Sequence, residues 1–392
     1  MESVDFLVVG CGPAGATAAR EAARAGLETV VLEKDAVVGA KRVCAAGLRP
    51  GFCQTFDLPR SVIHCDTPRL ALFDIDGTEH EIVFGSPGHT STREELDGTM
   101  ARLAQAEGAQ IRTHALFRSI QRDGERSTVE YADREAGTRR LISARHVFFA
   151  RGATALAGDS WSEGLMTTLQ YRVYLDRPAA AIAYRTLELH YYPARDGRVL
   201  VAWMFPKRDH LAIGLGLLGK ISGAELRVEL DEFTERVRKR LYPDARVVDV
   251  ITEGHLLYGG WPLPGAGSAG AMIGGTAAGL VDATNGEGIF EAAMSGRMAA
   301  AAIAADRGFP SRATARYASQ LAARFASRLS HRVKLMRFLE RRPMRYGMLF
   351  EQLASSRHFS DALQKEDHER TMGDRIQLYV QALRFALRAA RA

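Results

Sequence analysis

Three glycines and one carboxylate are the first residues in this chain whose types and spacing could do chemistry. Gly10, Gly12 and Gly15 stand in G-x-G-x-x-G register around Pro13 and Ala14, and Glu33 lies 18 residues past Gly15, next to Lys34. The first glycine permits a tight turn, the second lets backbone N–H groups approach a pyrophosphate, and the third allows a helix to pack close to a strand. A helix N-terminus adds a dipole that favours phosphate. A carboxylate at Glu33 can hold ribose hydroxyls. The chemistry expected of this set is nucleotide binding.

Other reactive types are scattered. Cys11, Cys44, Cys53 and Cys65 form no CxxC pair and no dense framework, as expected of free thiols in a reducing compartment. Cys44 is either a proton donor or substrate-positioning thiol, or a small buried apolar side chain. Cys11 sits inside the glycine turn, where small size explains it. Tyr191, Tyr192, Trp203 and Phe205 either line an apolar tunnel whose ring faces favour developing positive charge, or build the core of a sheet. Alternation puts Trp203 and Phe205 on one face, and both readings predict burial. His64, His89 and His190 show no ligand spacing with one another or with the cysteines, so no metal is expected.

The elements that must position these residues are legible from periodicity. "DFLVVG" reads as a buried strand, "AGATAAREAARAG" as an Ala-rich helix and "TVVLEKD" as a second strand, a βαβ unit. "RLALFDIDGTEHEIVF" reads as a hairpin turning at Asp76-Gly77. "TREELDGTMARLAQAEG" reads as a helix capped by Ser91 or Thr92 and ended at Gly108. Short alternating segments follow at 110–120, 127–131 and 139–142, then "HVFFARG". Residues 169–216 are strand-rich and read as one antiparallel sheet, and the chain beyond Gly286 reads as helical.

Composition is that of an ordinary globular protein, 46% apolar and 25% charged. No basic n-region or apolar h-region opens the chain, so no signal peptide is expected. The longest stretch without Asp, Glu, Lys or Arg, Gly254–Val281, holds nine glycines with Pro262 and Pro264, and reads as turns rather than a membrane helix. The net charge of +6 is uneven. From Arg307 onward 18 Lys/Arg face 7 Asp/Glu, while residues 1–306 hold 34 against 39. The basic tail is either a solvated helical face or a docking surface for an acidic protein or an anionic membrane. Arg324, Arg328 and Arg332, beside Leu321, Phe325, Leu329 and Val333, are the stripe expected to meet a bilayer. No nucleic-acid partner is expected, and the localisation expected is cytoplasmic, with the tail as the route to the cytoplasmic membrane face.

A second Gly-rich block, "GGTAAGLVDATNGEGIFEAAMSGRMAA", resembles the second flavin motif of the aromatic-hydroxylase-like flavoproteins, and most closely that of the geranylgeranyl reductase family. The matching residues are Gly275, Ala277, Ala278, Gly279, Gly286, Glu287, Gly288 and Ile289. "KRVCAAGL" resembles the family's Cys segment, which implies Cys44 near the flavin. "VAWMFP" followed by a G-x-G strand resembles its Y-x-W-x-F-P signature, through Trp203, Phe205, Pro206, Gly214 and Gly216. Arg93 and Asp97 match its R-x-x-F-D segment, with Leu96 in place of the aromatic. Two positions depart. Thr276 replaces the Asp that bonds the ribityl chain, and Arg151 replaces the acid of an A-D-G step.

The resemblance implies an α/β fold: an FAD-binding Rossmann-like domain (1–66, 91–157 and 255–306), an inserted antiparallel substrate-binding sheet (67–90 and 158–254) and a helical C-terminal region (307–392). It implies FAD held by Gly10, Gly12, Pro13, Ala14, Gly15, Glu33, Lys34, Arg93, Gly275, Thr276, Gly286, Glu287, Gly288 and Ile289. For Glu287 a capping role at the helix start is the expectation, with substrate contact as the other reading. Cys44, Tyr191, Trp203 and Phe205 are the implied catalytic set. The implied reaction reduces isolated C=C bonds of a hydrophobic isoprenoid chain, with electrons from NADPH or from reduced ferredoxin or flavodoxin. A flavin monooxygenase or halogenase on the same scaffold, and a flavin-poor lipid or quinone binder, are the rival readings.

Overall fold

The computed structural model describes residues 1–40, 44–153, 165–177, 185–258, 267–268, 271–365 and 369–391. The first three residues of "KRVCAAGL", the boundary expected at 157–158, and Pro262 and Pro264 lie outside the described residues.

Two eight-stranded sheets organise the chain. In the first, strand Glu2–Val9 runs parallel to Thr29–Leu32 on one side and to Thr138–Phe149 on the other. Gln110–Arg112 and Ala271–Ile273 extend the sheet on its two sides, both parallel. A parallel strand covered on both faces needs apolar residues at every position, and Phe6, Leu7 and Val8 are fully buried. Residues 139–142 and "HVFF" form one strand, Thr138–Phe149. Its near end pairs antiparallel with Arg126–Asp133, and it pairs parallel with Glu2–Val9.

Helix Pro13–Arg24 buries Ala14, Ala16, Ala18, Ala19 and Ala22. Small residues bring helix Ile289–Ala305 against it so closely that a Cβ on Gly296 would lie 2.1 Å from the Ala14 carbonyl oxygen. Helix Arg93–Ala106 starts at Thr92, whose hydroxyl accepts the Glu95 N–H, so of the two candidates Thr92 is the cap.

The second sheet runs in the order Val247–Tyr258, Leu165–Leu175, Leu211–Leu218, Val199–Pro206, Thr186–Pro193, Cys65–Phe73, Glu79–Thr90, Gly47–Leu48. It is antiparallel except where Thr186–Pro193 lies parallel to Cys65–Phe73. A parallel pair needs a long crossover, and the whole chain between those strands supplies it. The hairpin turn falls at Asp74–Thr78, where Asp74 accepts the N–H groups of Asp76 and Thr78.

Alternation divides strand Val199–Pro206 cleanly. Leu200, Ala202 and Met204 are buried against helix Gly223–Leu241 through Leu226, Leu230 and Phe233. Val201, Trp203 and Phe205 point the other way, toward Leu339, Tyr346 and Phe350 of the C-terminal helices.

The C-terminal region corrects one expectation. Helix Pro310–Leu321 passes through a π-turn at Ala322–Ala326 into Ser327–Glu340. Leu321, Phe325 and Leu329 are buried in the core of the nucleotide-type sheet, not on a membrane-facing stripe. Arg328 pairs with Glu291 at 2.6 Å and Arg332 with Asp282 at 3.2 Å. The arginines were read as surface charges because their carboxylate partners lie far back in the sequence. Among the described residues, no helix is long and apolar enough to cross a membrane.

Candidate functional site

Gly12 caps helix Pro13–Arg24 in extended geometry with no side chain bonded to the first-turn N–H groups. Those donors are the ones an anion would take. Gly10 sits at φ +99°, where a side chain is strained, and a Cβ there would lie 2.5 Å from the Ala150 carbonyl oxygen. A Cβ on Gly15 would lie 1.9 Å from the Gly10 carbonyl oxygen. At Gly12 such a Cβ would meet only side chains, Nη2 of Arg93 at 3.4 Å and a carboxylate oxygen of Asp97 at 3.9 Å, so no backbone closes the turn on that side. The Glu33 carboxylate accepts the Cys11 N–H at 2.8 Å and the Asp35 N–H at 3.1 Å. The Lys34 ammonium pairs with Asp35 at 2.6 Å.

The second glycine block packs onto this turn. Gly275, at φ +61°, approaches Ala14 so closely that its Cβ would lie 3.4 Å from that of Ala14. Thr276 follows in a single 3₁₀ turn, Gly275–Ala278. Gly286 has φ +74°, and Gly288 caps helix Ile289–Ala305, again without a side-chain partner. Two helix N-termini with free first turns thus flank one region, and a pyrophosphate and a flavin edge suit such donors. Arg151 stacks over Phe117 and Phe149 at 5.1 and 5.2 Å, and burial pulls its guanidinium below the usual range.

Glu287 does not cap the helix. Its carboxylate meets Arg49 at 2.6 Å, and the same guanidinium holds Glu291 at 2.6 Å. Burial raises the Glu287 carboxyl, Arg49 opposes that, and Glu291 adds to it. Two carboxylates four residues apart, Glu291 fully buried and Glu287 half-buried just before the helix, need a shared cation. Arg49, stacked 4.2 Å over Phe290, supplies it. The sequence reading missed Arg49 because its partners lie 238 and 242 residues away.

Cys44 is half-buried, and its sulfur accepts the Ala46 N–H at 3.3 Å. Ala46 is buried at φ +44°, a left-handed conformation that costs an L-residue about 1–2 kcal/mol. That strained turn aims its N–H at the sulfur. The Arg93 guanidinium also lies in the electrostatic neighbourhood of Cys44, while Asp97 holds it at 2.6 Å. Burial pulls the Arg93 guanidinium down, but Asp97 and then Cys44 keep it above its usual value. The sequence reading matched Arg93 by resemblance alone, and the geometry joins it to both Cys44 and Gly12.

Lys207 was not singled out from the sequence. It is fully buried, its ammonium donates to the Ala45 carbonyl, and it lies 5.9 Å from the Phe205 ring centre. Burial pulls it down to about 7, against the opposing pull of Cys44 and Cys65. Between that value and the ordinary lysine value of about 10.4, the unfolded chain binds more protons than the folded one. Folding stability contributed by this group therefore rises with pH across that window. Wild type should gain about 2 kcal/mol relative to Lys207→Met between about pH 7 and pH 9, measured by denaturant unfolding. Parallel pH profiles would overturn this.

The aromatic residues divide. Trp203 and Phe205 are only half-buried, less than either reading required. Glycines make room for both: a Cβ on Gly214 would strike the Trp203 ring at 2.4 Å, and one on Gly47 would strike Phe205 at 2.7 Å. The Trp203 indole N–H donates to Gln170 at 2.9 Å. Tyr191 shares their face, buried against Tyr346 and Phe350, and its hydroxyl donates to the Thr284 carbonyl at 3.0 Å. Tyr192 does not join them. Alternation turns it to the opposite face, against Phe233 and Arg236. Phe205, stacked on Gly47, ties the aromatic face to the Cys44 segment. Among the described residues, no group of three His, Cys, Asp or Glu could hold a metal ion.

The chain is similar to several known proteins. A family model described as FAD dependent oxidoreductase matches residues 5–157. The chain is similar to the digeranylgeranylglycerophospholipid reductase of Methanosphaerula palustris, 30% identical over 318 residues, covering 76% of this chain and 75% of the relative. It is similar to the enzyme of the same name from Methanosarcina mazei, 29% identical over 315 residues, covering 76% and 74%. In three dimensions it resembles a geranylgeranyl bacteriochlorophyll reductase-like protein of Thermoplasma acidophilum, with a TM-score of 0.70, 21% identity and 95% of each chain covered. That last likeness bears on the fold alone.

Proposed function

Because the chain belongs to the geranylgeranyl reductase family of FAD-dependent oxidoreductases, we propose that it saturates isolated C=C bonds of a polyprenyl chain on a lipid, quinone or chlorophyll-like substrate. The observation that carries the reading is a thiol, Cys44, with Arg93 and Lys207 beside it, between the Gly12 turn and the Trp203–Phe205 face.

Reduced FAD would supply the hydride for one alkene carbon. In this reading the N–H groups of Gly12, Ala14 and Gly15 in the first turn and of Gly288 and Ile289 in the second face the cofactor, Glu33 holds ribose hydroxyls, and Thr276 offers a hydroxyl to the ribityl chain. Pro13, Ala14, Lys34, Gly275 and Glu287 line the same cradle, with Arg93 beside the pyrophosphate. The Cys44 Sγ–H bond breaks as its proton passes to the second alkene carbon. The Ala46 N–H and the Arg93 guanidinium then stabilise the thiolate. Trp203 and Phe205 turn ring faces toward the tertiary cationic character that builds up as the proton leads. Tyr191, fixed by Thr284, keeps that wall closed to water. The net change is two hydrogens gained per bond. The reductant is NADPH, ferredoxin or flavodoxin.

Anaerobic reduction with dithionite, followed by a geranylgeranyl substrate and mass analysis, tests this. The expected product has gained two hydrogens per bond, with no need for oxygen. A product that forms only in air and carries one added oxygen would replace the reductase reading with the monooxygenase one.

A further inference from the structure

The C-terminal helix Met372–Arg391 has two faces of different character. One meets the protein. Gln381 is buried with its carbonyl accepting from Gln352, Ala389 is buried, and Phe385 packs on the cluster of Leu189, Tyr191, Tyr346 and Phe350. The other presents Met372, Ile376, Tyr379, Leu383 and Leu387, each 50–74% exposed. Steps of four, three, four and four residues place all five on one stripe. Isolated apolar residues on a surface need no explanation, but a contiguous row marks a contact.

Charge narrows the contact. Residues 375–391 contain four arginines and no acid. At 100° per residue, Arg375 borders the stripe on one side and Arg384 on the other. Asp374, just before them, is buried and engaged by Lys365 and the Thr371 N–H. We propose that this helix lies in the surface of an anionic bilayer, its stripe in the acyl boundary and the bordering Arg375 and Arg384 among the headgroups, while Arg388 stays paired with Glu351. Two copies packed through the stripe would bring arginine rows together, and the helix's one carboxylate, Asp374, is buried and already engaged, so a lipid surface is the fitting occupant. The proposal rests on the polyprenyl-lipid reading for its purpose. Phe385, on the reverse of the helix, touches the same cluster as Tyr191, so docking sets the aromatic face beside the source of its substrate.

The FAD-loaded full chain is sedimented with phosphatidylcholine vesicles, with and without phosphatidylglycerol, at low and high salt. Pelleting is expected with the anionic vesicles and should weaken in salt. Ile376→Glu combined with Leu383→Glu should lower partitioning on the order of 100-fold, and Arg384→Gln by about fivefold. Val228→Glu, on an exposed site of another helix, should change nothing. Circular dichroism and flavin content check that each variant folds. No pelleting with anionic vesicles, or pelleting indifferent to Ile376→Glu/Leu383→Glu, overturns the proposal. A concentration-dependent dimer that the double variant dissolves, without vesicle binding, gives the stripe to a second copy and overturns it too. Vesicle binding needs no substrate. Docking without alkene reduction would sink the reductase reading alone, and normal turnover on detergent-dispersed substrate without docking would sink the bilayer proposal alone.

Discussion

Gly12→Val gives a folded protein that no longer retains FAD. The fold survives because a Cβ there would meet only side-chain tips, at the ordinary contact distances of 3.4 Å to Arg93 and 3.9 Å to Asp97. The added isopropyl group nevertheless crowds the turn on its Arg93 side, over the first N–H groups of helix Pro13–Arg24, where a pyrophosphate has to come close. Affinity for FAD should fall about 100-fold or more, equivalent to about 2.8 kcal/mol. Gly15→Val provides the contrast. Its Cβ would sit 1.9 Å from a backbone oxygen that cannot yield, so that variant loses the fold as well. Visible flavin absorbance after gel filtration, read beside circular dichroism, separates the two. A yellow, stoichiometrically loaded Gly12→Val protein would remove the glycine turn from the cofactor site.

Cys44→Ala lowers turnover by about 10²–10⁴-fold, the usual worth of a positioned acid, while flavin content stays normal. The thiol is half-buried and touches donors rather than a packed core, so its removal leaves the fold largely undisturbed. Its surroundings are specialised for a proton: a strained Ala46 turn aims an N–H at the sulfur, and Arg93 and Lys207 stand on its other sides. Cys44→Ser, a poorer acid in the same place, should fall between wild type and Cys44→Ala. Single-turnover rates measured with pre-reduced enzyme isolate this step from cofactor reloading. Unchanged rates in Cys44→Ala would return the residue to a packing role.

The strands, the Ala-rich helix, the hairpin at Gly77 and the Thr92 cap were legible because each is written in a local period or a turn residue. The glycine turn was legible for the same reason: strand, turn, helix and acid all fall within one short stretch. What escaped was set by distance along the chain. Arg49 finds its carboxylates in the second glycine block, and Lys207 finds its acceptor 162 residues back. No pattern in either neighbourhood announces such a meeting. Ala46 at positive φ carries no glycine to betray it. The Arg328–Arg332 stripe was legible as amphipathic, but periodicity cannot say whether an apolar face meets lipid or protein. Burial of Phe325 and Leu329 gives that face to the protein, whereas Ile376 and Leu383 stay exposed.

The pairing of Arg328 with Glu291 and of Arg332 with Asp282 carries a further consequence. Both acids belong to the glycine-rich block, and Glu291 is 1% exposed. Peeling helix Ser327–Glu340 away would take one of the two arginine partners from a charge kept almost wholly from water, so the two segments resist opening as one cooperative unit. Free-energy coupling of this kind is reciprocal. Whatever steadies the block also tightens the helices that follow it, and the ease with which those helices open, to amide exchange or to a protease, becomes a gauge of how fully the cofactor cradle is occupied.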